Sequence, residues 1–126
     1  MGWTVVQVAL GGALGAVLRY LAGVGIYRLA GPSPLPLAVL SVNVLGSILM
    51  GLFVVVAAHR GLTHLAPFVT VGLLGGFTTF SAFSLETVTL VERGQMGLAA
   101  VYVGLSVAGA VGGLLLGLWA GRGLVA

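Results

Sequence analysis

The sequence contains no cysteine, and only two of its 126 residues are acidic, Glu86 and Glu92. Without cysteine there are no disulfides, thiol nucleophiles or thiolate-bound metals. Charged residues make up 6% of the chain against 60% hydrophobic, and the mean hydropathy is +1.24. That balance excludes an ordinary soluble domain. Formal net charge is +3, yet the basic residues are scattered over loops and helix ends, with no patch for nucleic acid. The high pI reflects scarce acids. The amino end lacks a basic n-region, and its apolar run continues past Arg19 without a small-residue cleavage site, which argues against a cleaved signal peptide.

What the chain does have is apolar length. A helix needs roughly 20 apolar residues to cross the ~30 Å hydrocarbon core. Four such stretches fit, near 3–28, 36–58, 66–92 and 97–121. Pro32, Pro34 and Pro36 mark the first loop, His59-Arg60-Gly61 the second and Arg93-Gly94-Gln95 the third. The chain thus reads as an all-α, multi-pass protein of a cell (inner) membrane. It is one four-helix transmembrane domain over 1–126, with no soluble part to hold a conventional active site.

Orientation follows arginines in short loops. Arg60 and Arg122 fall on one side of the membrane, Arg28 and Arg93 on the other. Two against two gives almost no bias, so both orientations are expected and two opposite copies can pair about an axis in the membrane plane. Such an antiparallel homodimer produces from separate chains the inverted symmetry that many transporters encode as internal repeats.

Gly109, Gly113, Gly117 and Gly121 recur every four residues in the fourth span, and Gly11 and Gly15 do so in the first. Small residues at that spacing let helix backbones approach closely in lipid. Tyr102 and Ser106 continue the glycine face of the fourth span towards its start. Asn43 and Ser47 are four apart in the second span, where a buried amide needs a partner. Arg19 reads equally as a side chain that snorkels to the interface.

The third span is different. Gly75-Gly76-Phe77-Thr78-Thr79-Phe80-Ser81-Ala82-Phe83-Ser84 pairs two glycines with interleaved hydroxyls and rings. The adjacent glycines predict a helix broken near its middle. Freed backbone groups at membrane depth must face protein, water or an ion. Phe77, Phe80 and Phe83 at three-residue intervals fit ordinary packing when taken alone, but five hydroxyls, counting Thr87, exceed what a kink needs.

The run from Gly75 to Glu86 resembles the signature of the Fluc (CrcB-type) fluoride channels. So do Gly15-Ala16-Val17-Leu18-Arg19-Tyr20 and Val42-Asn43-Val44-Leu45-Gly46. The resemblance covers essentially the whole chain. It implies an antiparallel homodimer with two fluoride pathways, a central structural sodium ion, and a role in keeping cytoplasmic fluoride low by passive export. It further implies that Phe80 and Phe83 line the pathways beside Asn43, with Tyr102 and Ser106 as the fourth-span polar track and Thr79 and Arg19 also on the path. The sodium would be held by the backbone carbonyls of Gly75 and Thr78. Ala110 stands where some members have a further serine on that track.

The residue chemistry is compatible. A small anion holds its water tightly, so a selective path must replace that shell with donors. Asn43, Thr79, Tyr102 and Ser106 can donate, and phenyl edges carry the positive end of the ring quadrupole. Unwound carbonyls suit a sodium ion. Two other readings compete. A small proton-coupled multidrug exporter needs a titratable acid in the membrane, for which Glu86 would serve alone. A non-transporting, holin-like assembly would use the glycine ladders but leaves the hydroxyl-rich break without a purpose. None of these readings is an enzyme.

Overall fold

The computed structural model describes residues 1–126, and every regular element is helical. Helix α1 spans Gly2–Ala30 and α2 spans Leu37–Arg60. The third span is composite. A 3-10 turn (Thr63–Leu65) leads into a π-helix (Pro67–Leu74), then a single turn, α3 (Gly75–Phe77), and finally α4 (Phe80–Glu92). Helix α5 (Met96–Val125) completes the chain. All four segments are long and apolar enough to cross a bilayer, Gly2–Ala30, Leu37–Arg60, Thr63–Glu92 and Met96–Val125.

Loop chemistry sets where the helices stop. Gly61 takes the left-handed conformation, φ 68 and ψ 32, and the next N–H, of Leu62, returns to the Ala57 carbonyl at 2.8 Å. Gly94 repeats the device at φ 77, with Gln95 N–H reaching the Leu90 carbonyl at 2.9 Å. Only glycine adopts that φ without strain, and the closing bond satisfies a carbonyl the helix end would otherwise leave bare.

Two glycine seams hold the spans together. Helix α2 lies on α5: a Cβ at Gly117 would strike the Ile48 carbonyl and stand 2.9 Å from Leu52 N, and one at Gly51 would strike the Leu114 carbonyl. All four glycines of the fourth-span ladder face α2. Helix α1 lies on the π-helix and α3 through Gly11 and Gly15, whose added Cβ atoms would meet the Phe68 and Leu73 carbonyls. Lipid supplies no hydrophobic force between helices, so this close backbone approach is what holds them. Few side chains are fully buried. Val42, Leu74, Phe77, Leu90 and Tyr102 are among them, while Trp3, Tyr20, Phe80 and Trp119 stand on the outer surface.

The third helix is broken, but not at the glycines. Gly75 is helical, with φ −63 and ψ −37, and the extended residues are Thr78 (φ −90, ψ 156) and Thr79 (φ −150, ψ 123). The expectation of a glycine-led break is therefore corrected by a few residues. Thr79 is the N-cap of α4, its Oγ1 accepting from Ala82 N–H at 3.2 Å. A cap residue leaves helical geometry while its side chain serves the helix that follows. Gly76 serves close approach instead, since a Cβ there would lie 2.7 Å from the Gly12 carbonyl.

Candidate functional site

The break is held by Asn43. Its Nδ2 donates to the Thr79 carbonyl at 3.0 Å, and its Oδ1 accepts from Thr79 N–H at 2.8 Å. One side-chain amide thus pairs with both polar groups of the most extended residue, much as a neighbouring β-strand would. Gly46, one turn on, allows the approach: a Cβ there would meet the Thr78 methyl and come within 3.3 Å of the Phe77 ring. Thr78 bonds backwards, with both its N–H (3.0 Å) and its Oγ1 (2.9 Å) donating to the Leu74 carbonyl.

These bonds leave a specific deficit. In an unbroken helix Thr79 N–H would serve the Gly75 carbonyl and Ala82 N–H the Thr78 carbonyl. Here the first goes to Asn43 and the second to the Thr79 hydroxyl. No backbone hydrogen bond made outside the helices ends on the carbonyls of Gly75 or Thr78.

Beside the break lies a groove of about 360 Å³ between α2, α4 and α5. Asn43, Thr79, Phe80, Phe83 and Ser106 all line it, together with Ser47 and Ala110, and no carboxylate does. The Phe80 and Phe83 ring centroids are 5.3 Å apart, tilted by 53°, and Phe83 continues to Tyr102 at 5.3 Å and 42°. Tilted rings present edges as well as faces along one line. Ser106 also lines the groove, but it is buried at 7% exposure and its Oγ itself has almost no accessible surface.

The structure therefore brings Asn43, Thr79, Phe80, Phe83 and Ser106 together, with Tyr102 stacked behind Phe83. It does not bring Arg19 to the groove. The Arg19 Nε donates to the Gly76 carbonyl at 3.1 Å, so the side chain neither snorkels free nor lines the cavity. Two links were not read from the sequence, this one and the Tyr102 hydroxyl donating to Glu86 Oε2 at 2.8 Å. The second had a signal, because Glu86 follows Phe83 by three residues on the face that meets Tyr102. Met50, Val107 and Val111 also line the groove, and nothing in their sequence context marks them.

Fold and site together define a small polytopic helical membrane protein with a helix break at membrane depth, an arrangement suited to moving a polar species rather than to bond chemistry. Residues 6–118 match the family described as CrcB-like protein, Camphor Resistance (CrcB). The chain is 63% identical over 122 residues to the fluoride-specific ion channel FluC of Ruegeria sp. (strain TM1040), with 97% of each chain covered. It is 64% identical over 122 residues to the protein of that name from Roseobacter denitrificans, covering 96% of this chain and 97% of the relative. With that from Paracoccus denitrificans it shares 52% over 128 residues and the full length of both. The chain belongs to the CrcB family, as the third-span motif implies, and that family is not enzymatic.

Proposed function

We propose that this chain is a fluoride-selective channel that lets fluoride leave the cytoplasm passively and so lowers its toxicity. The observation that carries this reading is the groove: an amide, hydroxyl-bearing residues and two tilted rings line it, and no carboxylate is among its lining residues. The name shared by its relatives supports the choice of ion. Family membership also argues against the exporter and holin-like alternatives.

The working unit is an antiparallel homodimer. In its favour are the balanced arginines and an outer face where Phe80, a groove residue, is 77% exposed in the single chain. A carboxyl-terminal reporter should be detected on both sides of the membrane, and a one-sided signal would contradict dual topology.

A structural sodium ion fits the break, because the Gly75 and Thr78 carbonyls have lost their helical donors to Asn43 and the Thr79 hydroxyl. Carbonyl oxygens are hard ligands suited to such a cation. When bound, the ion would supply positive charge that compensates those oxygens.

The test is anion efflux from liposomes holding purified protein, with potassium movement clamped by an ionophore. Fluoride should leave rapidly while chloride stays. Chloride leaving as fast, or fluoride release no faster than from protein-free vesicles, would overturn the reading.

A further inference from the structure

Opening a helix strands carbonyl oxygens on one side of the break. Gly76 lies in the turn just before the extended pair, and no backbone hydrogen bond made outside the helices ends on its carbonyl. That oxygen takes the Nε–H of Arg19 instead, at 3.1 Å and across 57 residues of sequence. The register that delivers Arg19 is written in α1. Gly11, Gly15 and Arg19 follow at four-residue intervals and share one face. The two glycines seat that face on the third span, where a Cβ at Gly15 would lie 2.9 Å from Phe77 N. The next position on the stripe reaches the break.

We propose that Arg19 is a positioning residue: through its inner nitrogen it replaces the donor that the break removes from Gly76. Asn43 holds Thr79 from α2, and Arg19 holds Gly76 from α1, so the extended Thr78–Thr79 pair is fixed from both sides. Arg19 acts on the groove through the backbone that presents Phe80, without lining the groove itself. A guanidinium inside an apolar run is expensive unless paired, and here a carbonyl pairs it. The guanidinium charge is shared over all three nitrogens, so the Nε–H bond is charge-assisted and only substitution separates its donor from its charge.

Two substitutions separate the hydrogen bond from the charge. In Arg19→Gln the amide nitrogen lies as many bonds from Cα as Nε does, so a donor is kept and the charge lost. In Arg19→Met the side chain keeps that length without any donor. Two readouts are needed: fluoride efflux, and the Gly76 carbonyl carbon shift. The latter is observable alone, because Gly76-Phe77 is the only Gly-Phe step in the chain and labelling glycine carbonyls with phenylalanine nitrogens isolates it. The glutamine variant should keep flux within about threefold of the parent and hold the carbonyl shift, while the methionine variant should lose about tenfold or more and move the shift upfield.

A glutamine variant as inactive as the methionine one, with the shift held, would assign Arg19 a role through charge and overturn the proposal. So would parent-like flux in the methionine variant. If the methionine variant does not fold, the glutamine variant decides alone: parent-like flux and shift support the proposal, and loss of either overturns it. The flux arm rests on the channel reading. Should the parent pass no fluoride, that reading fails by itself, and the carbonyl shift still tests the bond.

Discussion

Helix α2 makes two contacts on adjacent stripes, and they work by opposite means. Val44, Ile48 and Gly51 face α5, where Gly109, Gly113, Gly117 and Gly121 remove side chains until backbone meets backbone. Asn43 and Gly46 face the broken third span, where one particular amide completes a pair of hydrogen bonds. The seam needs the absence of atoms and tolerates no addition. The joint needs one functional group and tolerates no change of donor pattern. The closely packed α2–α5 pair therefore carries, through one amide of α2, one side of a break whose other side Arg19 of α1 holds.

The largest effect expected from breaking this contrast is at the seam. Gly117→Leu places a branched side chain where even a Cβ meets the Ile48 carbonyl. The helices cannot approach, at a cost of about 3 kcal/mol or more. Size-exclusion chromatography should show little or no monodisperse protein. At the joint, Asn43→Asp keeps the acceptor for Thr79 N–H but removes the donor to the Thr79 carbonyl and sets a carboxylate against it. Assembly should survive while fluoride flux falls by about tenfold or more. Flux at the parent level would show that the joint does not shape the groove.

Smaller effects sharpen the same comparison. Thr79→Val keeps the β-branched shape but deletes the cap to Ala82. It should cost about 1 kcal/mol, read as a modest drop in Tm. Gly104→Ala should do the reverse. A Cβ there meets nothing within 4 Å, so the substitution should leave flux alone and add up to about 0.5–1 kcal/mol of helix stability. A drop comparable to that of Gly117→Leu would mean the seam extends beyond the glycines that touch α2.

The four spans and the glycine ladder were legible because length, hydropathy and four-residue spacing act locally along one helix. The position of the break was less so. Gly75-Gly76 looks like the weak point, yet glycines also permit close approach, and Gly76 is used for that against Gly12. Whether a glycine bends a helix or seats it depends on the partner surface, which periodicity does not carry. Asn43 illustrates the same limit from the other side. Its need for a partner follows from burial, but Thr79, 36 residues away, is found only when the helices are placed. From the sequence, Arg19 fits either a snorkelling residue or part of the path. Its bond to Gly76 depends on the register between α1 and the third span, set by glycines at both ends. The aromatic line Phe80, Phe83, Tyr102 was legible on the third-span side and in part on the fourth, because three- and four-residue steps fix which side chains share a face.

The most direct test of the groove as an anion path replaces both of its rings. Phe80→Ile with Phe83→Ile keeps comparable bulk and apolarity and removes the ring quadrupole whose positive edges the proposed anion path would use. Phe80 is mostly exposed in the single chain, so its loss should not unfold the helices. In liposomes the doubly substituted protein should assemble as the parent does and pass fluoride at least about tenfold more slowly. A folded double variant that passes fluoride at the parent rate would contradict the assignment and reduce both rings to helix packing.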